Sequence, residues 1–164
     1  MNRLRLPRHF AGFTFIELIV TVAIVALLAT MVFPMAELAV QRSKERDLRE
    51  ALRQIRGALD AYKKAVDEKK IASEVDSSGY PPNLAILADG VVDAKSPNKD
   101  RKIYFLRRIP RDPMNSDPTV SPDASWGRRS YRSPPEAPRD DGDVFDVYSR
   151  SPATGLNGVP YRKW

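Results

Sequence analysis

Two hydrophobic patterns follow one another in the first half of the chain. Residues 13–36 are almost all apolar, whereas beyond residue 36 apolar side chains recur at regular spacings among charged ones. A helix rises about 1.5 Å per residue and crosses the hydrocarbon layer of a bilayer in about 20 residues. The apolar run has 24 residues, so we predict one transmembrane helix over residues 13–36.

The second pattern has the periodicity of an amphipathic helix. Its apolar residues are separated by 4, 3, 4, 3 and 4 positions, and they are Leu48, Leu52, Ile55, Leu59, Tyr62 and Val66. This spacing places them on one helical face, and ion pairs four residues apart, such as Glu45 with Arg49, support the helix. We predict one continuous helix from Phe13 to near Val75, ended by residues 76–79. A coiled coil is the alternative, but the stripe is shorter than four heptads.

The second half of the chain is rich in loops, since 12 of the 14 prolines follow Tyr80. Asn83 is placed to cap a short helix over residues 84–88, which Asp89 and Gly90 would end. The best strand candidates are residues 128–132 and 143–149, joined by a polar, proline-rich connection over residues 133–142.

These elements predict an α+β fold. Residues 37–76 would form a helical spine, and residues 77–164 would form a head with a small antiparallel sheet. In the second strand, alternation puts Val144 and Asp146 on one face and Phe145 and Val147 on the other. The sheet would pack on the helical stripe and bury Leu52, Ile55, Leu59 and Tyr62.

Glu17 is the anomaly of the apolar run. A carboxylate there costs about 3 kcal/mol on insertion scales, so a retained one usually has a partner or a task. No basic residue lies within residues 13–36 to be that partner. The alternative is an acid near the headgroups that is tolerated because it takes up a proton.

The residues around Glu17 resemble the N-terminus of type IV pilin-like proteins. Those proteins have a short basic leader, a Gly before a cleavage site, a Phe after it and a Glu four residues beyond the Phe. The resemblance implies that prepilin peptidase cleaves between Gly12 and Phe13 on the cytoplasmic side, removes residues 1–12 and methylates the Phe13 amine. It also implies that Glu17 faces the Phe13 amine of a neighbouring subunit, and a charge pair in low dielectric would offset the insertion penalty.

Pro34 stands where pilin-like families carry a proline, which implies a helix that unwinds locally when packed in a filament. A plain kink near the membrane interface is the alternative, because proline removes one helical hydrogen bond.

The head is most similar to the major, G-type pseudopilin of bacterial type II secretion. The loop at residues 79–81, the apolar segment at residues 103–113 and the terminal Trp164 carry this similarity. It implies a single-pass inner-membrane protein with a periplasmic head, which assembles with its own copies, other pseudopilins and an inner-membrane platform to drive protein export. The alternatives are a subunit of a type IV pilus or DNA-uptake filament, and a membrane-tethered binding module that does not polymerise.

Composition argues against other functions. The net charge of +6 would fall to about +3 without Arg3, Arg5 and Arg8, and no basic block alternates with aromatics, so we expect no nucleic acid partner. The absence of cysteine excludes disulfides and cysteine-held metals. The single histidine, His9, lies in the leader. We therefore predict no enzymatic activity, no catalytic residue and no cofactor.

Calcium is the metal to consider, since the resemblance implies a site in the C-terminal loop. Residues 147–164 contain no Asp or Glu, whereas calcium takes six to eight oxygens, usually with several carboxylates. We therefore predict no metal site and expect Tyr161 and Trp164 to hold the loop by burying aromatic surface. A weak site formed by Asp143, Asp146 and Ser149 is the alternative.

Overall fold

One long helix dominates the first half of the molecule. The computed structural model describes residues 12–73, 77–98 and 100–164, and the side chains of these except residues 31–34. Helix α1 spans Phe15–Asp67 and contains residues 15–36 of the apolar run. It begins two residues later than the predicted start at Phe13, because Thr14 caps it from outside the helix. By length and composition it is the one helix of the described chain that could cross a membrane. The predicted leader, apart from Gly12, lies outside the described residues.

Helix α1 ends earlier than predicted. Lys69 adopts a positive φ of 57°. The amide of Lys69 donates to the carbonyl of Val66, and that of Lys70 donates to the carbonyl of Ala65. These two bonds form a Schellman motif, which satisfies the last helical carbonyls. The predicted end near Val75 was wrong because this motif normally uses Gly or Asn, and Lys69 carries no such signal.

The chain divides into two compact units, one up to Gln41 and one spanning Arg42–Trp164. The hydrophobic core lies in the second unit. From here on, the word head means this whole unit, residues 42–164, which includes the buried part of α1 as well as the predicted head over residues 77–164. The core buries the predicted stripe of α1 together with residues from the loops and strands. These residues are Leu48, Ala51, Leu52, Ile55, Ala58, Leu59, Tyr62, Ala65, Ile71, Leu84, Leu87, Trp126, Val144, Val147 and Tyr161. Val66, the last residue of the stripe, is partly buried against them.

A short helix and a hairpin lie beside this core. Helix α2 spans Ala85–Asp89, and the Asn83 side chain accepts a hydrogen bond from the Ile86 amide at 3.1 Å, as its predicted capping role requires. Strands β1, Val91–Val92, and β2, Lys102–Ile103, pair antiparallel. Sequence patterns missed this hairpin because each strand has only two residues.

The main sheet is also antiparallel. Strand β3, Trp126–Arg129, pairs with β4, Asp146–Ser149, with Trp126 opposite Ser149. Both strands were predicted, but β3 begins and ends earlier and β4 begins later than expected. Glycine usually indicates a turn, yet Gly127 lies within β3. It is needed there because a Cβ at this position would lie 2.3 Å from the Tyr148 ring.

Turn contacts explain the remaining differences in the strands. The Tyr131 amide donates to the Asp143 carboxylate at 3.0 Å, and the Ser130 amide donates to the Arg139 carbonyl. Because these two amides bond outside the β3–β4 ladder, β3 ends before the predicted residue 132. Val144 precedes β4 rather than alternating within it, so Val144 and Val147 are both fully buried, contrary to the predicted opposite faces.

Candidate functional site

The start of α1 is held by a reciprocal pair of hydrogen bonds. The Glu17 amide donates to the Thr14 hydroxyl at 3.2 Å, and the Thr14 amide donates to the Glu17 carboxylate at 3.4 Å. This arrangement is a capping box, which satisfies two of the amides that a helix start leaves without partners. Sequence reasoning missed this role of Thr14, although the spacing of Thr and Glu three residues apart is its signal.

The peptide bond between Gly12 and Phe13 lies outside the helix. Residues 12–14 have no regular secondary structure, and the Phe13 side chain is 83% exposed. A Cβ added to Gly12 would meet nothing within 4 Å. The chain at this bond is therefore open to a protein that approaches it.

The apolar side chains of the first unit are exposed along its length. The large ones range from 43% exposed at Leu38 to 83% at Phe13. An exposed apolar surface as large as that of residues 13–30 and 35–40 is typical of a membrane or protein interaction site. Pro34 lies within α1, but its side chain falls outside those that the structure describes.

In the head, a buried carboxylate holds the C-terminal loop, which we define as residues 153–164. Glu45 is 4% exposed. One of its oxygens accepts hydrogen bonds from the Leu156 amide at 2.8 Å and from the Tyr161 hydroxyl at 3.0 Å. Its other oxygen lies 3.7 Å from the Arg49 guanidinium. A buried carboxylate requires such partners, and here they come from the loop and the helix.

Two arginines of α1 add contacts to the same loop. The Arg49 guanidinium lies over the Trp164 ring at 4.3 Å from its centroid. Arg56 donates to the Trp164 carbonyl at 2.8 Å and to the Val147 carbonyl at 3.2 Å. The rings of Tyr161 and Trp164 meet edge to face at 5.1 Å, and Tyr161 is 2% exposed. The expectation that these two aromatics hold the loop is confirmed, but the contribution of α1 was missed.

The oxygens of the alternative calcium site already have other partners. Asp146 pairs with Arg56 at 2.8 Å and with Arg129 at 3.3 Å. Asp143 accepts the Tyr131 amide, and the Ser149 hydroxyl donates to Asp112 at 2.6 Å. Two guanidinium groups at Asp146 compete directly with a cation. The described residues contain no group of three or more His, Cys, Asp or Glu that could hold a metal ion.

Comparison with known proteins agrees with this geometry. Residues 7–33 match the family model of the prokaryotic N-terminal methylation motif. The chain is 30% identical over 110 residues to type II secretion system core protein G of Klebsiella pneumoniae, an alignment that covers 65% of this chain and 70% of the relative. The chain belongs to the type IV pilin-like family, among the G-type pseudopilins. No solved structure matches it.

Family membership confirms the predicted resemblance and the α+β pilin-like fold. Family membership also fits a chain that is anchored in a membrane by α1, the one helix of the described residues that is long and apolar enough to cross it. The pseudopilin relative is named as a secretion-system core protein, which favours a structural subunit over an enzyme.

Proposed function

We propose that this pseudopilin is a structural subunit of a type II secretion pseudopilus and drives protein export by assembling through its N-terminal helix. The observation that carries the proposal is the exposed apolar surface of residues 13–30 and 35–40, in a chain similar to a type II secretion core protein. In a filament, neighbouring copies would cover the surface that lipid covers before assembly. The head would lie in the periplasm, and an inner-membrane platform would add subunits.

The first step is processing by prepilin peptidase. Gly12 and Phe13 precede the helix, so α1 need not unwind before the peptide bond between them is cleaved. Cleavage would expose the Phe13 amine two residues before α1, and methylation would follow there. Mass spectrometry of the membrane-extracted protein should find an N-terminal methylated Phe13. An intact Met1 in a host with an active prepilin peptidase would contradict this step.

Glu17 is the proposed assembly residue. The capping box holds its carboxylate in the first turn of α1, close in sequence to the Phe13 amine. A neighbouring subunit's amine would pair with this carboxylate, and the pair would offset the cost of placing either charge in lipid. Pro34 is the second proposed assembly residue, because its missing amide weakens α1 at that turn.

Cross-linking within the membrane tests whether the protein polymerises. The chain has no cysteine, so a variant with cysteines at both Ile19 and Leu28, two exposed positions about 13 Å apart along the helix and on opposite faces, can form disulfides only between copies. Two cysteines per copy allow each copy to be joined to two others. A filament subunit should yield a ladder of adducts after oxidation, whereas a tethered binding module should yield none.

Export requires a separate measurement. Expression of this protein should restore secretion in a bacterium that has a type II secretion system but lacks that system's own G-type pseudopilin. Ladder formation without restored secretion would instead favour a pilus or DNA-uptake filament.

A further inference from the structure

The head carries a basic and apolar surface on the side where its part of α1 begins. Arg42, Lys44 and Arg46 are exposed. Leu156 and Val159, in the C-terminal loop, are 44% and 38% exposed. We call these five residues the basal patch. We propose that the basal patch binds the anionic headgroups of the membrane in which the chain is anchored.

Hydrogen bonds place the loop beside this part of the helix. The Leu156 amide donates to Glu45 at 2.8 Å, and Glu45 lies between Lys44 and Arg46 in the sequence. The turn that carries both apolar side chains is closed by two bonds, from the Gly155 amide to Val159 and from the Gly158 amide to Gly155, each 2.9 Å. The loop that carries Leu156 and Val159 is therefore held beside the helix by hydrogen bonds within the head, and this arrangement exists before any partner binds.

The charges of the patch are available to a ligand. Within the described chain, no hydrogen bond or ion pair engages the side chains of Arg42, Lys44 or Arg46. By contrast, Arg49, Arg53 and Arg56 on the next turns each pair with an acid. Three cations without internal partners complement an anionic surface, and two exposed apolar side chains beside them suit the boundary between headgroups and acyl chains.

Chain connectivity identifies lipid as the partner. Arg42 follows the predicted membrane span by six residues, which is about 9 Å of helix. A basic cluster directly after a transmembrane helix is attracted to anionic lipid, and each basic residue near the surface changes the bound-to-free ratio about fivefold. This inference requires the membrane anchor but not export, processing or polymerisation.

The test uses the full chain, one copy per lipid nanodisc. Leu156→Cys, labelled with a small apolar fluorophore, reports contact with lipids that carry a quenching nitroxide on the headgroup. We expect stronger quenching in discs of equal parts phosphatidylcholine and phosphatidylglycerol than in phosphatidylcholine alone. Raising the salt to about 1 M, where the Debye length is about 3 Å, should remove the difference.

Charge variants identify the residues responsible. Replacing Arg42, Lys44 and Arg46 together by Glu should abolish the lipid-dependent quenching, and replacing them by Gln should reduce the bound-to-free ratio on the order of 100-fold. The matched control is Arg107→Glu with Arg108→Glu, an exposed basic pair elsewhere in the head, which should leave quenching unchanged.

A second label controls for general contact with lipid. Tyr104→Cys lies at a site that is 63% exposed, and the adjacent Phe105 contacts Tyr62, which is about 30 Å along α1 from Arg42. This label should not respond to lipid charge. Equal quenching of Leu156→Cys in both lipids, or full quenching in the Glu variant, would overturn the proposal. Quenching that appears only with two copies per disc would also overturn it, because the partner would then be another subunit.

Discussion

The two halves of helix α1 contain similar apolar residues in opposite environments. Leu27, in the first unit, is 63% exposed, whereas Leu59, in the head, is fully buried. The acids differ in the same way. Among the described residues, the Glu17 side chain bonds only to Thr14 at the start of its own helix, whereas Glu45 is buried under a loop more than 100 residues away in sequence.

This difference separates what stabilises the head from what stabilises an assembly. In the head, the chain itself covers the apolar stripe, so each residue of the stripe contributes to the free energy of unfolding. In the proposed function the first unit presents its apolar surface to lipid or to neighbouring copies, so we expect its residues to affect insertion and assembly. Substitutions of one residue type in the two halves should therefore have different consequences.

The largest expected effect is the loss of assembly in Glu17→Ala. The substitution lowers the cost of insertion and removes the acid proposed to pair with a neighbouring Phe13 amine. Insertion and processing should continue, while the cross-linking ladder should disappear. Glu37→Ala, which removes an exposed acid beyond the apolar run, is the matched control and should polymerise. Normal filaments from Glu17→Ala would leave Glu17 without an assembly role.

The second prediction compares Leu59→Ala with Leu27→Ala. A Leu→Ala change in a packed core typically costs about 2–5 kcal/mol of unfolding free energy. Leu59→Ala should fall in this range, whereas Leu27→Ala should leave the stability of the head unchanged. Denaturant unfolding of the full chain in detergent, followed by the tryptophan fluorescence of Trp126 and Trp164, both in the head, measures both. Equal losses in the two variants would contradict the separation of the halves.

A smaller loss is expected for Glu45→Ala. The substitution removes the acceptor of the Leu156 amide and of the Tyr161 hydroxyl, but only the second of these bonds is buried. Water can replace the acceptor of the partly exposed Leu156 amide, so the expected cost is that of one buried hydrogen bond, about 1–3 kcal/mol. Hydrogen exchange should rise at residues 153–164 before it rises in β3 and β4. Glu50→Ala, at an exposed ion pair with Arg53, is the control and should change stability little. Unchanged exchange in the loop would mean that Glu45 does not hold it.

The smallest expected effect is that of calcium on thermal stability. An ion that binds only the folded state raises the melting temperature, but Asp146 already pairs with Arg56 and Arg129. The full chain in detergent should melt at the same temperature with millimolar calcium as with a chelator. An upward shift of several degrees with calcium would show that the loop recruits the ion.

Patterns in the sequence were sufficient for much of this protein. The apolar run predicted the membrane helix, because length and hydropathy are local properties. Spacing predicted the buried stripe of α1, and the residues around Gly12 and Glu17 identified the family. The capping bond of Asn83 was also predictable, since its donor is only three residues away.

Tertiary structure decided what depends on residues distant in sequence. The end of α1 depends on Lys69 in a backbone conformation that its residue type does not signal, and β3 contains Gly127 because the Tyr148 ring covers it. Glu45 appeared in the sequence as half of a helical ion pair, yet its main partners come from residues 156 and 161. Sequence periodicity reports which face of a helix is buried, whereas the partner of a buried charge is determined only when distant segments pack together.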